Sequence, residues 1–268
     1  MEYKYLITII SISIIFLATT LGSFFVFFFK KNLSNKTKTI ILGFAAGIMM
    51  ATTFFGLIAP AIDQSKSMDI YKGWSFVPPI VGFAFGGLLL YFLDKIIPHF
   101  HKVQNVHEGI QKDNWSNNLK FFLAVTIHNI PEGLAVGLAC GLALILKDEE
   151  SVVAATSALS LAIGIAIQNV PEGAAVSIPM FSDGMKKGKA FFFGMGSGVV
   201  EPIFAVLGLF LSQLIVATPW LLAFAAGAMM YVTLDEIIPE SRENGLNHHS
   251  MGAFFIGFMV MVILETIL

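Results

Sequence analysis

Eight stretches of nearly continuous apolar sequence divide the chain, at 6–29, 40–62, 76–97, 119–146, 152–179, 190–215, 219–239 and 251–268. An α-helix needs about 20 apolar residues to cross the bilayer core, and each stretch supplies that length. Backbone groups in lipid must be satisfied within their own segment, so each stretch is expected to be helical. The pattern predicts an all-α integral membrane protein with eight transmembrane helices. Residues 6–29 look at first like a signal peptide, but this run of 24 residues is too long for an h-region. No Ala-x-Ala-like site follows it, so it is read as a retained helix.

The connections between spans differ in charge, which predicts orientation. Lys30, Lys31, Lys36 and Lys38 precede span 2, while Lys95, Lys102, Lys112 and Lys120 follow span 3. Lys186, Lys187 and Lys189 precede span 6. The alternate connections are poor in positive charge, and the Lys and Arg residues divide twelve to four in favour of one side. By the positive-inside rule, the lysine-rich loops face the cytoplasm and both termini lie outside the cell membrane.

Composition narrows the function. With 56% hydrophobic and 13% charged residues and a mean hydropathy of +0.79, the chain's main solvent is the lipid bilayer. A net charge of −2 argues against a nucleic-acid partner. Cys140 is the single cysteine, so neither an internal disulfide nor a thiolate metal cluster can form.

Against this apolar background two hexapeptides stand out, HNIPEG at 128–133 and QNVPEG at 168–173. His128 precedes Glu132 by four residues, as Gln168 precedes Glu172, so each motif turns two donors to one helix face. A charged side chain at the bilayer centre costs at least about 2.5–3.5 kcal/mol, which makes such residues functional candidates. Asn129 and Asn169 add amides, and Pro131 and Pro171 are expected to disturb the preceding turns. Glu201, within GVVEPIF of span 6, is a third intramembrane carboxylate. Imidazole, carboxylates and amides without thiolate suit Zn²⁺, Fe²⁺, Mn²⁺, Co²⁺ or Cd²⁺. Two metal positions bridged by Glu132 and Glu172 are expected.

The chain also repeats itself, since FAAGIMM at 44–50 returns as FAAGAMM at 224–230. These copies lie in spans of opposite direction, as do the two hexapeptides. The expected plan is 3+2+3, with spans 1–3 (6–97) and 6–8 (190–268) inverted about the central pair (119–179). Inverted repeats around a polar midplane are typical of transporters.

With these motifs the chain resembles the ZIP family of divalent-metal transporters, most closely its bacterial zinc-transporting branch, over essentially its full length. The resemblance implies one transporter domain across 1–268 that takes up Zn²⁺ by alternating access and has no catalytic cofactor. By this likeness His128, Glu132, Gln168 and Glu172 form a first metal position with Met49 at its edge. Asn129, Glu132, Asn169, Glu172 and Glu201 form a second, with Asn169 standing where some relatives have Asp. Asp63 would mark the outer entrance, and Asp94, Asp235, Glu236 and Glu265 an acidic exit toward the cytoplasm. His99, His101 and His107, in the cytoplasmic loop 98–118, would capture metal. The likeness also implies that spans 1, 4, 5 and 6 slide against spans 2, 3, 7 and 8. A homodimer is left open. So are a metal-selective channel, an exporter, and an intramembrane metal-dependent hydrolase, although the chain has no H-E-x-x-H.

Overall fold

The computed structural model describes residues 2–28, 34–96, 99–101, 106–108, 117–182, 184–242 and 245–267. Among them are eight helices long and apolar enough to cross a membrane. They are α1 (Tyr3–Phe27), α2 (Asn35–Ser67), α3 (Val77–Ile96), α5 (Asp148–Ser182), α6 (Lys187–Leu211), α7 (Ile215–Arg242) and α8 (Asn247–Ile267), with α4 (Asn117–Ile145) between α3 and α5. A three-residue antiparallel pair, β1 (His99–His101) and β2 (Val106–Glu108), follows α3. The backbones of His99, His101 and His107 belong to this pair, and their side chains lie outside the described residues.

Several helices overrun their apolar windows because polar residues cap the ends. Ser34 accepts a hydrogen bond from the Thr37 backbone N–H at 3.1 Å, starting α2 well before its apolar window. Asp148, Glu149 and Glu150 occupy the first turn of α5, where the helix dipole favours negative charge. The irregular backbone falls elsewhere than expected. Both α4 and α5 remain α-helical through Pro131 and Pro171. The irregular turns are instead π-helical, at Thr52–Ile58 in α2 and Thr233–Ile237 in α7. Thr53 Oγ1 donates to the Met49 carbonyl and Thr233 Oγ1 to the Met229 carbonyl, each at 2.8 Å, taking up carbonyls next to these turns.

The helices pack as two groups. In one, α1 lies along α5, α4 along α6, and α4 against α5; in the other, α3 lies along α7, α2 along α8, and α2 against α7. Contacts of α4 with α7 and of α2 with α5 join the groups. The closest approaches are reciprocal. A Cβ added at Gly47 would overlap the Phe254 carbonyl and one at Gly257 the Phe44 carbonyl, closing α2 onto α8. Gly227 against Phe83 and Gly86 against Phe224 close α3 onto α7 in the same way. Such small-residue contacts let membrane helices gain dispersion energy where lipid offers no hydrophobic drive. Large apolar side chains such as Phe85, Phe92, Phe192, Phe210 and Phe255 stay exposed, as befits a lipid-facing perimeter.

Candidate metal site

The two hexapeptides meet where α4 and α5 cross, since Gln168 Nε2 donates a hydrogen bond to Glu132 Oε1. His128, Asn129, Glu132, Gln168, Asn169 and Glu201 are all buried, and Glu172 is partly so. A cavity of about 30 Å³ opens between the motifs, α2 and α7. That is room for a water or a bare ion, and little more. His128, Glu132, Gln168 and Glu172 line one wall, Met49 a second, and Glu236 and Glu240 a third.

The polar atoms here are unevenly matched. Asn129 Oδ1, Glu132 Oε2, Gln168 Oε1, Asn169 Oδ1 and Glu172 Oε1 are buried and accept no hydrogen bond. A buried acceptor left without a partner costs about 1–3 kcal/mol. Three of them, on Glu132, Gln168 and Glu172, belong to residues that line the cavity and are the oxygen donors a hard or borderline divalent cation takes. The residues therefore fit a metal cargo. Among the described residues, however, no three His, Cys, Asp or Glu side chains stand ready to hold an ion. The reason lies in present partners: Glu132 is tied to Gln168, and His128 Nε2 stands 2.9 Å from Glu236 Oε1. An incoming ion must exchange these contacts for its own.

The second expected metal position is occupied by hydrogen bonds. Glu201 sits in the first turn of the C-terminal half of α6, just after a break at Gly198 and Val199. Its Oε1 accepts from Thr19 Oγ1 at 2.8 Å and from Asn129 Nδ2 at 3.2 Å. Its Oε2 accepts from Asn169 Nδ2 at 2.9 Å.

The route residues separate to two ends. Asp94 and Glu172 contribute negative potential at His128, and Glu236 touches it directly. Asp235 is half-buried on the same π-helical turn as Glu236 and does not line the cavity. Glu240 was not foreseen, although it follows Glu236 by four residues on one helix face. It carries the cavity to its mouth, where Lys38 Nζ lies 2.8 Å from its carboxylate. Asp63 is exposed near the opposite end of α2. Glu265 does not join Asp94 and Glu236. Its carboxylate lies near Gly56, seven residues beyond Met49 toward the Asp63 end, because α8 runs parallel to α2. Thr19 was also missed; nothing in its local sequence marks it, and only packing of α1 on α5 and α6 brings it to Glu201.

Eight membrane-length helices around a buried nest of unmatched oxygens define a membrane protein built to handle a cation. The chain belongs to the ZIP zinc transporter family. The sequence pattern described as ZIP Zinc transporter matches residues 5–121 and 118–265. The chain is 33% identical to zinc transporter ZIP11 of Xenopus tropicalis over 92% of this chain and 93% of that protein. It is 34% identical to zinc transporter GufA of Myxococcus xanthus, covering 87% and 88% of the two chains. Zinc transporter ZupT of Chlorobaculum parvum is 32% identical over 92% of each. This is a family of transporters, not enzymes, which removes the metallohydrolase alternative.

Proposed function

We propose that the chain imports Zn²⁺ across the cell membrane into the cytoplasm, as one transporter domain working by alternating access. The observation that carries the reading is three buried oxygens without donors on residues that line the cavity, Glu132 Oε2, Gln168 Oε1 and Glu172 Oε1. Zinc is the first choice because imidazole, carboxylate and amide suit it and because the relatives' names specify it. Cd²⁺, Fe²⁺, Mn²⁺ and Co²⁺ share that ligand chemistry.

On this reading the ion enters past Asp63 and binds His128, Glu132, Gln168 and Glu172 beside Met49. It leaves past Glu236 and Glu240, with Asp94 and Asp235 adding negative charge. Two features support movement toward the lysine-rich end. The cavity continues from the hexapeptides to the partly exposed Glu240. On the Asp63 side, buried apolar residues that include Leu57, Ala61, Leu134, Leu161 and Ile165 close the bundle. The positive-inside rule assigns the lysine-rich end to the cytoplasm, with both termini outside. We read the two packed groups as bodies that shift against each other, and the spans as a 3+2+3 inverted repeat. Support for the repeat comes from the packing pairs: exchanging α1 with α6, α2 with α7, α3 with α8 and α4 with α5 reproduces the same set.

Purified protein in proteoliposomes tests this with ⁶⁵Zn²⁺ added to one face. Saturable uptake is expected, and the Glu132→Ala Glu172→Ala double variant should abolish it. Undiminished uptake by that variant overturns the site, and flux toward the lysine-poor side overturns the direction.

A further inference from the structure

We propose that this chain carries one cargo ion at a time, because hydrogen bonds close the space around Glu201 to a second ion, and that Asn169 sets this stoichiometry. The proposal rests on the reading that His128, Glu132, Gln168 and Glu172 hold the transported ion.

The donors around Glu201 come from three other helices. Thr19 of α1 and Asn129 of α4 donate to Oε1, and Asn169 of α5 donates to Oε2. The orientation of both amides follows from what surrounds them. Asn129 Nδ2 also donates to the Ser197 carbonyl at 3.1 Å, and Asn169 Nδ2 to the Ile15 carbonyl at 3.3 Å. Each amide nitrogen thus meets two acceptors with its two hydrogens. Turning either amide over would replace two donor–acceptor contacts with two contacts between oxygens. The NH₂ groups, not lone pairs, therefore face Glu201. A cation placed there would meet N–H hydrogens on both sides.

Charge points the same way. Glu132 and Glu172 balance one divalent ion. A second ion would have only Glu201 to balance it, and Asn169 is neutral where an aspartate would supply the fourth negative charge. Space agrees as well, since the cavity is lined by His128, Glu132, Gln168 and Glu172 but not by Asn129, Asn169 or Glu201.

Equilibrium dialysis of the full-length protein in detergent against Zn²⁺, with bound metal counted by mass spectrometry, gives the stoichiometry. Ions lost in the Glu132→Ala Glu172→Ala variant are counted as site ions, so binding to loop histidines drops out. The wild type should hold one site ion. Asn169→Asp should hold two, because a carboxylate oxygen replaces the NH₂ group. That variant also sets two carboxylates side by side. Its thermal midpoint in chelator should therefore fall below that of the wild type, and Zn²⁺ should raise it by a larger margin.

Two site ions in the wild type overturn the proposal. A folded Asn169→Asp protein with one site ion overturns the role of Asn169. If that variant fails to fold, the wild-type count alone decides. An ion count that does not change in the double alanine variant fails the transport-site reading itself, an outcome distinct from a count of two.

Discussion

Replacing Gly133 with alanine tests how closely α6 is held against the hexapeptide of α4. A Cβ at this position would stand 2.8 Å from the Glu201 Cα and 2.9 Å from its carbonyl carbon. Nonbonded carbons rest about 3.5–4.0 Å apart, so α6 must retreat by roughly 1 Å. The obstacle is the backbone of Glu201, in the first turn after the break in α6, and no side-chain rotation relieves it. Overpacking of this kind costs about 1–3 kcal/mol. The retreat also carries Glu201 away from Asn129, whose 3.2 Å hydrogen bond has little slack. Interhelical hydrogen bonds in membranes are worth at most about 1.7 kcal/mol, and half of that adds to the loss. The expected total is about 3 kcal/mol. Unfolding by SDS in mixed micelles, followed by circular dichroism, measures it. Gly252→Ala is the control, because nothing lies within 4 Å of a Cβ there. It should be neutral or stabilising by up to about 1 kcal/mol, since alanine favours the helix. If the two variants unfold alike, the helices are not in the close contact described.

Thr19→Val keeps the shape of a fully buried side chain and removes one of the donors to Glu201. In the same unfolding assay it should cost about 1–2 kcal/mol; wild-type stability would mean that the hydroxyl contributes nothing to the network. Glu240→Gln breaks a partly exposed pair with Lys38 and should change stability by less than about 1 kcal/mol. It should nevertheless slow ⁶⁵Zn²⁺ uptake severalfold if the ion leaves past this carboxylate. Uptake at the wild-type rate would take Glu240 off the path.

Much of the architecture was legible because the bilayer imposes it. Eight apolar windows gave eight helices, and errors were confined to the ends, where polar residues such as Ser34 and Asp148 extend the helix beyond the lipid-soluble stretch. The meeting of the hexapeptides was legible too, since period 3.6 puts His128 with Glu132 and Gln168 with Glu172 on single faces. Pro131 and Pro171, expected to disturb the preceding turns, leave α4 and α5 running on as α-helix through both. Each π-helical turn is followed two residues on by a proline, Pro60 and Pro239, which remove backbone donors to the carbonyls of those turns. The Glu201 network was half legible: its amides lie in the motifs, but Thr19 and the Ser197 carbonyl reach it only through tertiary contacts. Glu265 was misplaced because the family likeness put it on the exit route, although its place three residues from a C-terminus expected outside already set it at the end away from the lysine-rich loops.

The proposed two-fold explains where Glu265 belongs. The reciprocal glycine contacts relate Phe44 to Phe224 and Phe83 to Phe254. Carried along the helices, the same registers relate Met49 to Met229, Thr53 to Thr233, Gly56 to Glu236, and Asp94 to Glu265. Each half thus holds an acid from its third helix, Asp94 toward the lysine-rich end and Glu265 toward the other. The symmetry fails at Gly56 and Glu236. Beside Glu265 stands a glycine backed by Leu161 and the apolar cluster around it, while beside Asp94 stands a second carboxylate in contact with His128. A desolvated cation between these surfaces faces two acids on one side and one on the other. On the proposed transport reading, this imbalance favours release toward Glu236 and Glu240. Restoring balance with Gly56→Glu would bring its Cβ to 2.8 Å from Leu161 Cδ1, a side-chain tip that must turn aside to admit it.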